Sequence, residues 1–192
     1  MKWLMLMGAV AAMLSYGSAW AVAQEKDELS PEVIEFTQVV SIEFPKGGYS
    51  FTLKEAAKGI KLPYEFVVAA NVKGVIPLAF GPSQSEPPGK SGLHPREEIR
   101  GGDQYYCLCD YGLAPPPDES REVAKTLKMG SYEQTIEWDG RNWMGPSDTG
   151  MPKGDPFPAG TYEVKVTIHG KLLTERGKVP YQITGKTKLV LK

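Results

Sequence analysis

Apolar residues in this 192-residue chain recur at every second position, in short runs that Gly and Pro interrupt. Leu62, Tyr64, Phe66, Val68, Ala70 and Val72 form one such run, and Tyr162, Val164, Val166 and Ile168 form another. Successive side chains of an extended chain point to opposite faces, so each run makes a strand with one apolar and one wet face. No segment carries a helical spacing long enough for a layer of helices. Half-buried strands must pair and then cover their apolar faces with a second sheet, which predicts an all-β fold, an antiparallel β-sandwich.

The same pattern places the other elements. Ile34, Phe36, Val40, Ile42 and Phe44 alternate with Glu35, Thr37, Ser41 and Glu43, which predicts a strand over 34–44. The turn residues Pro45-Lys46-Gly47-Gly48 then lead to Tyr49, Phe51 and Leu53, the second arm of an expected hairpin. One helical turn over 54–59 is expected to stop at Gly59. Further strands are expected at 75–80, 105–111, 131–138, 179–183 and 188–191. Residues 81–104 are rich in Pro, Gly, Ser and charge and read as an exposed loop insertion; 112–130 reads as irregular, with a short helix over 119–128.

Lys2, the apolar stretch 3–14 and the small residues of Ser18-Ala19-Trp20-Ala21 have the layout of a cleavable signal peptide over residues 1–23. The apolar stretch is shorter than the ~20 residues a membrane span needs, so no transmembrane segment is expected after cleavage. Residues 24–32 read as a flexible leader and 33–192 as a single domain, periplasmic or secreted. Lys and Arg number 22 against 23 Asp and Glu, a net charge of −1, which offers no electrostatic footprint for nucleic acid.

The export expectation makes Cys107 and Cys109, the only cysteines, a redox question. Two residues apart on a strand, their Cα atoms stand about 6.6 Å apart, near the upper limit for a disulfide, so a local bridge needs a bulge or kink. A strained bridge, two reduced thiols and soft-metal ligation all remain open. His94 and His169 stand alone without metal-ligand spacing, and no metal or other cofactor is expected. Asp148 and Asp155 share a loop but lack the spacing of a calcium site, so they read as solvated. The sequence has no Gly-x-Ser-x-Gly, His-Glu-x-x-His or phosphate-binding loop, and it is read as non-enzymatic, with no catalytic residues. Among its aromatics, Trp138 and Tyr162 fit the core, leaving Trp143 free for exposure.

The densest signal is Trp138-Asp139-Gly140 at the end of one strand and Pro158-Ala159-Gly160-Thr161-Tyr162 at the start of the next. Asp139 and Gly140 can turn the chain sharply, Pro158 and Gly160 set its re-entry, and Tyr162 points inward. These residues resemble two bacterial immunoglobulin-like groups: the Ig-like domain of flagellar hook-capping proteins and the BsuPI-type intracellular proteinase inhibitor domain. The second likeness extends upstream, through YEFVVAANVKGVIPLAF at 64–80, Gly102-Asp103-Gln104-Tyr105-Tyr106 and Lys128-Met129-Gly130-Ser131-Tyr132. The resemblance implies an immunoglobulin-like sandwich with long loop insertions, acting as a binding module on a protein partner such as a proteinase. The hook-capping likeness implies instead a structural or assembly role at the cell envelope.

Overall fold

The computed structural model describes residues 31–77, 93, 95–107, 122–145 and 152–192. The fold is all-β and sandwich-like. One sheet has three strands in the order β1-β3-β8: β1 (Val40–Glu43), β3 (Ile60–Val68) and β8 (Gly130–Trp138), all antiparallel. The second runs β2-β11-β10-β5-β6-β9, with β4 and β7 added beside β10. Its members are β2 (Tyr49–Phe51), β4 (Val72–Pro77), β5 (Pro95–Gly101), β6 (Gln104–Cys107), β7 (Lys125–Leu127), β9 (Trp143–Met144), β10 (Gly160–Thr174) and β11 (Gly177–Leu191).

The alternating runs do what their period requires. Leu62, Tyr64, Phe66 and Val68 from β3 face Val164, Val166, Ile168 and Leu189 of the other sheet, all in one buried cluster. The Tyr64 hydroxyl, carried into this interface, donates to Glu97 Oε1 of β5 at 2.6 Å, so a polar tip meets a carboxylate between the sheets.

Residues 34–44 do not form one strand. Pro31–Val39 is a helix, α1, and only Val40–Glu43 is extended. Val33, Phe36 and Val40 are buried at helical spacing, and Ile34, which the period-two reading turned inward, is exposed. The helix thus also begins inside the segment expected to be a leader, and Phe36 packs against Tyr181 with ring centroids 4.6 Å apart. Nor is there a hairpin after it: β1 pairs with β3, whereas β2 pairs parallel to β11. Gly48 makes that separation feasible, because at φ +73° it lies where a Cβ would run into the Lys188 carbonyl oxygen.

The expected helical turn is α2 (Leu53–Ala56), opened by a capping box: Glu55 N–H donates to Thr52 Oγ1 at 3.2 Å and Thr52 N–H to Glu55 Oε2 at 2.7 Å. Gly59, at φ +90°, follows it.

Three further stretches differ from expectation. Residues 95–101, inside the expected loop insertion, form β5 between β10 and β6. Its outward residues are Arg96, Glu98 and Arg100: Arg96 pairs with Glu98 within the strand, while Arg100 Nη2 meets Glu163 Oε1 at 2.7 Å and Lys165 Nζ meets Glu98 Oε2 at 3.3 Å across strands. Cross-strand charge pairs substitute there for apolar alternation. In the stretch read as a short helix, Lys125–Leu127 is a strand paired with β4. Finally, β10 and β11 form one fifteen-pair hairpin, not strands broken at His169-Gly170 and at 184–187. Gly170 is no turn residue: a Cβ there would lie 2.5 Å from the Ile76 carbonyl oxygen, so its bare backbone admits β4 and the Tyr181 ring.

Candidate functional site

The Trp-Asp-Gly corner closes one end of the sandwich. Trp138 is buried, and its Nε1 donates to the Arg141 carbonyl at 2.9 Å. Gly140, at φ +76°, packs so closely on α2 that a Cβ would stand 3.0 Å from that of Ala56. Its carbonyl accepts from Phe157 N–H at 2.7 Å, which returns the chain to the corner. Phe157 then wedges between Trp138 and Tyr162, with ring centroids 4.7 and 4.9 Å away. The Tyr162 hydroxyl donates to the Pro158 carbonyl at 2.6 Å, locking the re-entry. Trp138, Gly140, Pro158, Gly160 and Tyr162 are therefore committed to holding the corner. Asp139 alone has its charge at the rim, paired with Lys153 Nζ at 2.5 Å.

Between corner and re-entry, the two ends of the 141–157 loop are zipped together. Asn142 is the hub. Its N–H donates to the Asp155 carbonyl at 2.9 Å and its carbonyl accepts from Gly154 N–H at 2.8 Å. Its side chain accepts from Tyr105 N–H at 2.8 Å and donates to Gln104 Oε1 at 2.5 Å and to the Asp155 carbonyl at 2.8 Å. The neck is thereby fastened to the start of β6. The sequence does not mark Asn142, because an Asn two residues after Asp-Gly carries only a turn signal; Lys153 lies 14 residues from Asp139 and carries none.

A groove of about 490 Å³ opens beside the neck, lined among others by Lys58, Lys61, Tyr106, Asp139, Trp143 and Lys153. Trp143 is half-buried and packed on the core rather than free, because β9 pairs it with Tyr106 of β6. Lys153 Nζ sits 5.5 Å from its ring centroid. Its indole Nε1 is buried without a hydrogen-bond partner among the described residues. The Tyr106 phenol donates to the Glu137 carbonyl at 3.1 Å, and burial, with Glu97 and Asp139 adding to it, pushes its pKa up to about 12. A neutral tyrosine and two rim ion pairs, Lys153–Asp139 and the exposed Lys61–Glu137, thus set the polarity of the groove.

On the outward face of the larger sheet, Cys107 is wholly buried and disulfide-bonded. Cys109, the one other cysteine of the sequence, lies outside the described residues, as do His94 and Asp148. Opposite Cys107 in the β5–β6 register is Glu98, which accepts from Arg96 Nε at 3.0 Å and the Tyr105 hydroxyl at 2.9 Å. Burial would raise the Glu98 pKa, but bonds from Arg96, Tyr105 and Lys165 outweigh it and hold the carboxyl below its ordinary value. His169 lies mid-strand in β10; burial, then the charges of Arg96 and Lys165, lower its pKa. Asp155 lends the neck its backbone carbonyl, and among the described residues no group of three or more His, Cys, Asp or Glu is placed to hold a metal. No helix among them is long and apolar enough to cross a membrane. No protein-family model, curated protein or solved structure was found to match the chain.

Proposed function

We propose that this chain is an exported, non-enzymatic binding module that takes a protein partner at the groove beside the Trp-Asp-Gly corner. The observation that carries the reading is the division of labour at that corner. The motif side chains are consumed in packing, while Trp143 and Lys153, on the neck that Asn142 fastens to β6, join Lys58 and Lys61 in lining an open groove. Rigid presentation of a few aromatic and charged groups suits recognition, because little order remains to be imposed on binding. The ion pairs at the rim are exposed enough to be exchanged for a partner's charges.

The resemblance to BsuPI-type domains makes a proteinase the first partner to try. Titrating the exported protein into a panel of serine proteinases should slow at least one of them, and Trp143→Ala with Lys153→Glu should abolish the effect. Proteinases that stay fully active in excess protein remove the inhibitor reading. Inhibition that survives both substitutions removes the groove.

A further inference from the structure

We propose that a second copy of this chain is a binding partner: the acidic outer face of the three-stranded sheet docks on the basic outer face of the larger sheet of the next molecule. This contact is separate from the groove beside the corner and goes beyond the function proposed for it.

The strand register puts three glutamates in one row. Glu43 of β1 stands opposite Glu65 of β3, and Glu65 stands opposite Glu133 of β8. All three are exposed, because Leu62, Tyr64 and Phe66 take the inner face and the residues between them point out. Neighbouring strands run about 4.8 Å apart, so the carboxylates stand well within a Debye length of one another, and like charges directly opposite destabilise a sheet. No cation among the described residues pairs with any of the three; Lys61, on the same face, is taken by Glu137 at 3.2 Å. Only hydroxyls answer them, Ser131 donating to Glu65 at 2.5 Å and Ser41 to Glu43 at 3.4 Å. Where β1 leaves β3, the row borders a recess of about 390 Å³ lined also by Phe44, Pro45 and Pro63, which a lysine or arginine side chain can enter.

The other side of the sandwich carries the opposite sign. Three rows of the register, Arg96-Thr167-Thr184, Glu98-Lys165-Lys186 and Arg100-Glu163-Lys188, cross β5, β10 and β11 on the outer face and hold five cations to two carboxylates. Arg100 and Lys186 share Glu163, and Arg96 and Lys165 share Glu98, whereas Lys188 is exposed and has no ion-pair partner among the described residues. The surplus is +3, against −3 for the glutamate row. Thr167 is buried, so the open end of this face is the one that holds Arg100, Lys186 and Lys188. Equal and opposite surpluses on a chain whose net charge is −1 make another copy the matching surface, since every molecule brings both halves and little net repulsion. The two faces lie on opposite sides of the sandwich, so the contact is head-to-tail and does not close; molecules add one after another.

Sedimentation velocity of the exported protein at rising concentration, in about 20 and about 300 mM salt, tests the contact. At low salt the mean sedimentation coefficient should climb with concentration without levelling at a dimer, and the association constant should fall about ten-fold or more at the higher salt. Glu65→Lys with Glu133→Lys, or Lys186→Glu with Lys188→Glu, should leave a monomer, because each pair gives both faces the same sign. All four substitutions in one chain reverse both faces and restore the native net charge, so self-association should return. Thermal melting by circular dichroism checks that each variant is folded; Glu65→Gln with Glu133→Gln replaces a reversed acidic face that is not, and should also weaken association. Four results would overturn the proposal: a native chain that stays monomeric at low salt, whether or not a polylysine probe binds the glutamate row; growth that stops at a dimer; association that survives either reversal; or a folded four-substitution variant that stays monomeric.

Discussion

Removing the Asn142 side chain is the sharpest single perturbation of the site. Asn142→Ala deletes three hydrogen bonds, from Tyr105 N–H, to Gln104 Oε1 and to the Asp155 carbonyl. The two backbone bonds of Asn142, to Asp155 and from Gly154, survive the change. Each lost bond contributes about 1 kcal/mol net, and the Tyr105 N–H, part-buried at the start of β6, loses its acceptor as well. The Gln104 and Asp155 ends are open enough for water to replace the amide, so the sum is about 2–3 kcal/mol rather than more. For a domain of this length that corresponds to a melting-temperature drop of roughly 5–10 °C. Urea unfolding measures it directly. Asn142→Asp sharpens the test, since the carboxylate can still accept from Tyr105 N–H but faces two acceptors, Gln104 Oε1 and the Asp155 carbonyl; it should lose at least as much as Ala. A change below about 0.5 kcal/mol in both variants would mean that the backbone bonds alone close the neck.

Three other positions test the packing and charge assignments. The Tyr181 hydroxyl is buried without a partner among the described residues, so Tyr181→Phe should leave the melting temperature unchanged or raise it, by up to about 1 kcal/mol of stability; a clear loss would reveal a hydrogen bond. Gly170→Ala should destabilise by about 2 kcal/mol or more in urea, because the new methyl meets the Ile76 carbonyl and the Tyr181 ring. Glu98 has a folded-state pKa below its unfolded value, so its contribution is complete above the unfolded pKa and is lost as pH falls through the folded one. Glu98→Gln should therefore cost stability near neutrality and much less at about pH 3, and a gap that stays constant between the two would show that the carboxylate charge is not what its neighbours hold.

What could be read in the chain beforehand follows from where its apolar residues sit. β3, β8 and the first half of β10 keep strict alternation, since one face is buried and the other wet, and they stood out at once. β5 did not, because its only fully buried side chain is Ile99 and its charges find partners on β10 and β6 rather than in solvent. The α1 segment reads as strand because Phe36 and Val40 satisfy both periods; Val33, three residues before Phe36, decides between them. Gly170 and Gly185 read as breaks in the last hairpin, yet each gives up its side chain so that another element can approach, Gly185 with Ile42 2.6 Å from where its Cβ would be. A glycine signals closeness or a turn, and sequence alone does not say which.

The same reasoning assigns the site. The motif residues are legible as scaffold because corner and re-entry each demand a Gly and an inward aromatic, and the re-entry a Pro as well. The groove was not, since it is assembled by the turn after α2, the start of β3, β6, β8, β9 and the neck from side chains with no shared spacing. This separation has a consequence for specificity. Substituting Trp138 or Tyr162 removes core packing and unfolds the corner, so any loss of binding there says nothing about recognition. Lys58, Lys61 and Lys153 can vary with little cost to the fold, so a related chain with the same corner and a different partner should differ at those positions first. Asn142 falls between the two groups: it touches no partner in this reading, yet its side chain joins the β9 ladder in tying the neck to β6. Placement of the groove thus converges on β6, which holds Tyr106 in its lining and carries the ladder to Trp143.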